Sequence, residues 1–209
     1  MAETTIRLHQ GDLSDAAMAH YTDSIAIDTE TLGLNPHRDR LCVVQLSPGD
    51  GTADVVQIAK GQKKAPNLVK LLRDPKMTKI FHFGRFDIAV LKQAFGATTT
   101  PVFCTKIASR LTRTYTDRHG LKDICRELLG VDLSKQQQSS DWAAEKLTDA
   151  QLEYAASDVL HLHALKAVLE ERLQREDRVK QAEACFRFLP VRADLDLMGW
   201  AEEDIFSHS

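Results

Sequence analysis

Along the first hundred residues the apolar positions come in short runs bounded by turn residues. "TIRLHQ" (5–10) alternates apolar and polar side chains, and "SIAID" (24–28) is almost continuously apolar. "RLCVVQLS" (40–47) and "ADVVQIA" (53–59) flank "PGDG", a strong turn signal. Together these runs predict an antiparallel meander. The period then changes. In "APNLVKLLRD" (65–74), Leu68, Leu71 and Leu72 share one helical face. "KIFHF" (79–83) reads as a strand, "FDIAVLKQAFG" (86–96) as a helix closed by Gly96, and "TPVFCT" (100–105) as a last short strand. Beyond residue 105 the pattern is helical: "KIASRLTR" (106–113), "LKDICRELLG" (121–130) and one long segment over 149–176, with Thr148 or Asp149 as its N-cap. "KQQQSS" (135–140) is a polar connector. Strands followed by helices predict a three-layer α/β fold, a mixed central sheet flanked by helices.

The alternation breaks in "SIAIDTETLGL" (24–34), where two acids follow a wholly apolar strand. Strand side chains two apart face the same way, so Asp28 and Glu30 are predicted side by side at a strand end that opens into a Gly/Pro/Asn loop. Asp87 lies near the start of the helix in "FHFGRFDIAVL", where an acid also suits the helix dipole. Tyr154 and Asp158 in "YAASD" are four apart and share a helix face. Each feature alone is compatible with solvated acids and a core-edge tyrosine. Taken together, clustered carboxylates repel one another and raise each other's pKa unless a cation intervenes. Hard divalent ions such as Mg2+ or Mn2+ suit an all-oxygen ligand set. Neither a phosphate-cradling GxxxxGK[ST] loop nor a GxSxG elbow is present.

Composition narrows the picture further. The chain is 43% hydrophobic and 27% charged, ordinary for a globular protein, and its net charge of -3 argues against a broad basic footprint on long duplexes. The four cysteines are widely spaced without a CxxC pair, which predicts reduced, mostly buried thiols rather than a zinc site. "MAETTIRLHQGD" lacks a basic segment followed by an apolar run, and no stretch reaches the roughly 18 apolar residues of a membrane helix. A cytoplasmic protein with no membrane partner is expected. Arg110, Arg113, Tyr115 and Arg118 form a basic stretch readable as a solvated helix end or as a phosphate contact. His161 and His163, two apart on a helix, are poor joint metal ligands.

"IAIDTETLGL", "FHFGRFDIAVL" and "YAASDV" resemble, in order, the three motifs of the DEDD superfamily of 3′–5′ exonucleases. A tyrosine four residues before the last Asp, here Tyr154, marks the DEDDy branch, and "QQSSDW" is similar to a segment of RNase D relatives. Those relatives commonly carry Arg-Pro-Leu where Glu145, Lys146 and Leu147 stand here. A single-domain form carrying "DTETLGLNPHRDRLCVVQLSPGDGTADVVQIAK", expected to lack the helical HRDC domains of full-length RNase D, most resembles the nanoRNase C group. The resemblance implies an RNase H-like fold in one exonuclease domain over 1–209, with a motif-bearing core at about 20–175 and a C-terminal helical extension at about 176–209. It implies a metal-dependent 3′–5′ exoribonuclease that hydrolyses short single-stranded RNAs, down to dinucleotides themselves, with two Mg2+ or Mn2+ ions, releases 5′-mononucleotides, and assembles as a homo-oligomer, an octamer in that group. DNA or longer structured RNA, such as a tRNA 3′ end, is the alternative substrate. Asp28 is expected to bridge both ions, Glu30 and Asp158 to hold the first, Asp87 the second, and Tyr154 to orient the attacking water. Leu34 matches the place of a leucine wedged between bases in related oligoribonucleases, or else is a loop leucine closing the core. Thr29, His82, Phe86 and Trp142 complete the expected substrate side, with core roles open for Phe86 and Trp142. The tail "PVRADLDLMGWAEEDIFSHS" (190–209) either folds back on the domain or docks on a neighbour.

Overall fold

A computed structural model describes residues 4–134 and 136–208. The six strands are β1 (Thr5–Gln10), β2 (Ser24–Thr31), β3 (Leu41–Ser47), β4 (Thr52–Gln57), β5 (Thr78–Phe81) and β6 (Val102–Cys104). The helices are α1 (Asp15–Met18), α2 (Pro66–Arg73), α3 (Arg85–Phe95), α4 (Thr105–Thr112), α5 (Leu121–Leu129), α6 (Asp149–Leu160), α7 (Leu162–Arg175) and α8 (Val179–Leu195), followed by one π-helical turn over Asp196–Trp200. Strand order across the sheet is β1-β4-β3-β2-β5-β6. β2, β3 and β4 form the expected antiparallel meander, whereas β5 and β6 run parallel to β2. β1 departs from the expectation: it joins β4 in parallel at the sheet's edge. A hairpin partner would have to follow it directly, but α1, β2 and β3 intervene between β1 and β4.

β2 and β3 are the two middle strands of the sheet. Ile25, Ala26 and Ile27 point alternately to both faces and are all fully buried, so both faces are covered. α6 packs across β1 to β4, α3 against β2 and β3, and α7 and α4 behind β5. The long helix expected over 149–176 is broken at His161 into α6 and α7. Thr148 caps α6 through a reciprocal capping box with Gln151, so its start was readable while its break was not. The strand expected at 79–83 ends at Phe81, because Phe83 adopts a left-handed conformation (φ 63°) that turns the chain into α3. Gly96 closes α3 with φ 63°, as expected. Of the connector expected at 135–140, residue 135 lies outside the described residues and 136–140 run as turns.

The basic stretch after α4 is neither a solvated end nor a phosphate contact at its centre. Arg113 is 1% exposed and ion-paired with Glu127, which also accepts a hydrogen bond from Tyr115. α8 folds back against α3 and β6, and Arg85 ties its end to Asp196 at 2.6 Å. Met198 and Phe206 beyond it remain exposed. Cys42, Cys104 and Cys125 are buried free thiols, and Cys185 is an exposed one. Among the described residues no helix is long and apolar enough to cross a membrane.

Candidate active site

The strand end of β2 delivers the first two acids. Asp28 pairs across the ladder with Gln45 and Glu30 with Val43, and a register shift follows immediately at Thr31. That irregularity bends the chain out of the sheet and into the loop bearing Leu34. Asp158 approaches from α6. One oxygen from each of Asp28, Glu30 and Asp158 lies within 4.8 Å of the others, the spacing of a shared cation site. Asp87, in the first turn of α3, is buried beside them and accepts a hydrogen bond from Thr29 Oγ1 at 2.6 Å. Thr29 faces away from its neighbours Asp28 and Glu30, which is how β2 reaches α3 while serving the acids.

Among the described residues, no ion pair to a lysine or arginine answers these acids. Burial pushes the Asp28 carboxyl well above the ordinary range, and Asp87, Asp158 and Glu30 push it further. Glu30 is raised to about 9 by burial, then by Asp158 and Asp87. Asp87 is raised to about 7 by burial, against the opposing hydrogen bond from Thr29. Asp158 also reaches about 7 through burial, partly offset by the Tyr154 hydroxyl. Four acids that cannot all ionise without a counter-charge, presenting only oxygen donors, fit hard divalent cations. Tyr154, one turn before Asp158, is raised by burial first and then by Asp158, Glu30 and Asp28.

A cleft of about 710 Å3 joins Asp28, Glu30, Tyr154 and Asp158 to the five expected substrate residues, Thr29, Leu34, His82, Phe86 and Trp142. Leu34 stands at its rim, 84% exposed, so it does not close the core. His82 lines the cleft with Nδ1 2.9 Å from Thr105 Oγ1, and burial pushes its pKa down to about 3, so it is neutral. Phe86 is half-buried between the cleft and the core. Trp142 is 2% exposed with its ring 5.9 Å from that of Tyr154, a position that supports the tyrosine from beneath and leaves no open face for a base. Thr29 spends its hydroxyl on Asp87. His161 and His163 lie elsewhere: His163 Nε2 contacts Ser24 Oγ at 3.1 Å.

Sequence reasoning passed over Gln45, fully buried on β3, whose Nε2 donates to Asp28 Oδ2 at 3.2 Å. The signal was present: a glutamine inside the otherwise apolar "LCVVQL" needs a buried partner. Lys106 and Lys122 also line the cleft, and only the fold brings them there.

A model of the 3′–5′ exonuclease family matches residues 8–174. Ribonuclease D of Gluconacetobacter diazotrophicus is 36% identical over 155 residues, 74% of this chain and 39% of that protein. The chain thus spans about two-fifths of the length of the curated relatives it matches. Among solved structures, NrnC of Brucella melitensis is 73% identical both with bound Mg2+ and bound to pGG. The TM-scores are 0.94 and 0.96, and coverage is 98% and 99% of this chain and 100% of the other. Escherichia coli RNase D, described as an exoribonuclease involved in structured RNA processing, is 27% identical with a TM-score of 0.78 over 90% of this chain and half of that one. The mixed sheet with its covering helices is therefore the RNase H-like fold of the DEDD exonucleases.

Proposed function

Because the chain belongs to the 3′–5′ exonuclease family of the RNase D type, we propose that it is a metal-dependent exoribonuclease. It hydrolyses short single-stranded RNAs from the 3′ end, down to dinucleotides, and releases 5′-mononucleotides. The convergence of Asp28, Glu30 and Asp158 within 4.8 Å, on a cleft with Tyr154 at its wall, carries this reading. The binding of pGG by the similar Brucella protein supports a short substrate.

Asp28, Glu30, Asp158 and Asp87 would together hold the divalent ions, Mg2+ or Mn2+, two to a site. When bound, such ions lower the pKa of a coordinated water and offset charge on the scissile phosphate and leaving oxygen. The chain's own groups do the rest. Gln45 and Thr29 hold Asp28 and Asp87 in fixed orientations. Tyr154 keeps its phenolic proton at neutral pH, so it orients a water as a hydrogen-bond partner and is not the base. Leu34 offers an apolar edge at the rim for two bases to straddle. Lys106 and Lys122 on the cleft wall would meet phosphates of the substrate.

Turnover of 5′-labelled RNA two-mers and seven-mers, and of matching DNA, in Mg2+, Mn2+ and chelator tests this. The expected order is RNA two-mer first, with no cleavage in chelator. Equal or better use of the seven-mer would remove the short-RNA assignment, and preference for DNA would remove the ribonuclease one. The same reading includes self-assembly, for which the individually exposed Met198, Ile205 and Phe206 are candidate contacts; light scattering measures it.

A further inference from the structure

The loop between β2 and β3 is unusual in holding two leucines outward. Leu32 is half exposed and Leu34 is the most exposed large apolar side chain in the chain's described residues. A slack loop would fold such side chains down onto the neighbouring apolar surface. This one is tied from within. Asp39, buried inside the loop, accepts from Asn35 N at 3.0 Å through Oδ2, and its own N–H donates to Asn35 O at 2.7 Å. Arg38 grips the same carboxylate with two hydrogen bonds of 2.7 and 2.8 Å. Asn35 Oδ1 accepts from His37 N at 3.0 Å, and Thr31 Oγ1 donates to Gly33 O at 2.5 Å. Gly33 is pressed so close that a Cβ there would lie 2.4 Å from Asp39 Oδ2. Of the two neighbours of Leu34, Asn35 is held by the Asp39 carboxylate, and Gly33, tied by Thr31, lies against that same carboxylate with no room for a side chain between them.

We infer that Asp39 is a positioning residue: it holds Leu34 outward at the cleft rim and thereby sets the preference for very short RNA. The inference rests on the proposed reading of the cleft. A loop ordered before binding spares the complex that entropic cost. The saving matters most for a two-mer, whose two bases supply nearly all of its contacts, and least for a longer RNA that binds elsewhere as well. The carboxylate, held near 2 by Arg38 and by the Asn35 N–H, stays ionised throughout any assay range.

The test measures kcat and KM for RNA two-mers and seven-mers with Asp39→Ala, Leu34→Ala, the double variant, and Gly33→Ala, which keeps Asp39 but displaces it. Circular dichroism verifies that each is folded. Asp39→Ala is expected to raise the two-mer KM about tenfold, with the seven-mer KM and both kcat values changed less than about threefold. Gly33→Ala should reproduce this pattern. In the Leu34→Ala background Asp39→Ala should add nothing, because both act through one side chain. Equal KM losses at both lengths, or additivity in the double variant, would overturn the positioning role. A normal two-mer KM in Leu34→Ala would instead overturn the short-RNA reading of the rim, and an effect of Leu34→Ala without one from Asp39→Ala or Gly33→Ala would overturn only the role of Asp39.

Discussion

Asp54 on β4 and Asp28 on β2 are both acids set into the same sheet, yet their surroundings are opposite. Asp54 is fully buried and receives Arg7 through two hydrogen bonds of 2.7 and 2.9 Å, His9 Nε2 at 2.7 Å and the Tyr21 hydroxyl at 2.6 Å. Burial alone would raise its pKa, but the hydrogen bonds from Arg7, Tyr21 and His9 overcome that and hold it below the usual value. It is a satisfied charge that ties the edge strand β1 and the segment after α1 to the sheet. Asp28 receives the Gln45 amide and the Thr29 backbone N–H, but burial and the three acids around it outweigh them, so its pKa rises. The difference separates structural burial from functional burial. A structural acid is answered by protein donors, while the cleft acids are left for a ligand to answer.

Substitutions should break the two regions in different ways. Asp28→Ala is expected to lower kcat for the RNA two-mer by roughly 10^3-fold or more, since the residue would help to hold the ions. The same change should leave the metal-free protein as stable as before or more stable by about 1 kcal/mol, because it relieves repulsion. Persistent RNA degradation by this variant would remove Asp28 from the site. Asp54→Ala should do the reverse. Leaving Arg7 and Tyr21 unanswered costs roughly 3 kcal/mol, read as a fall in Tm of roughly 10 °C, with kcat per folded molecule unchanged.

Tyr154→Phe sharpens the contrast within the cleft. Turnover should drop by about 10- to 100-fold while Mg2+ affinity, measured by calorimetry, stays near normal. Weakened Mg2+ binding would make the tyrosine a support for Asp158 instead.

The smallest effect is in the pH dependence of stability without metal. Glu30, Asp87 and Asp158 have folded pKa values raised to about 9, 7 and 7, so between about pH 4 and those values the folded state holds more protons than the unfolded one. Stability should therefore fall as pH rises from 5 to 9, and Mg2+ should flatten the slope. Asp54 works with the opposite sign: its contribution is present above the unfolded carboxyl pKa and is lost as pH falls through its lowered folded value. Thermal melts from pH 3 to 9, with and without Mg2+, would show both limbs, and a metal-independent slope on the alkaline side would count against the cation site.

Periodicity and motif spacing by themselves determined the six strands, helices α2 to α5, the capping of α6 at Thr148 and the closure of α3 at Gly96, and they singled out Asp28, Glu30 and Asp158, which the structure brings together, along with Asp87 and Tyr154. Those signals are local, or are fixed by residue type within a few positions. Only the tertiary structure decided the rest. It set β1 parallel to β4, broke the last long helix at His161, and buried Arg113 against Glu127 where the sequence reads as a solvated basic stretch. It also turned Trp142 into a support beneath Tyr154, gave Thr29 to Asp87 and Gln45 to Asp28, and drew the ties of Asp39 that leave Leu34 in solvent. Partner choice depends on which strands and helices become neighbours, and a side chain's own sequence surroundings carry no record of that.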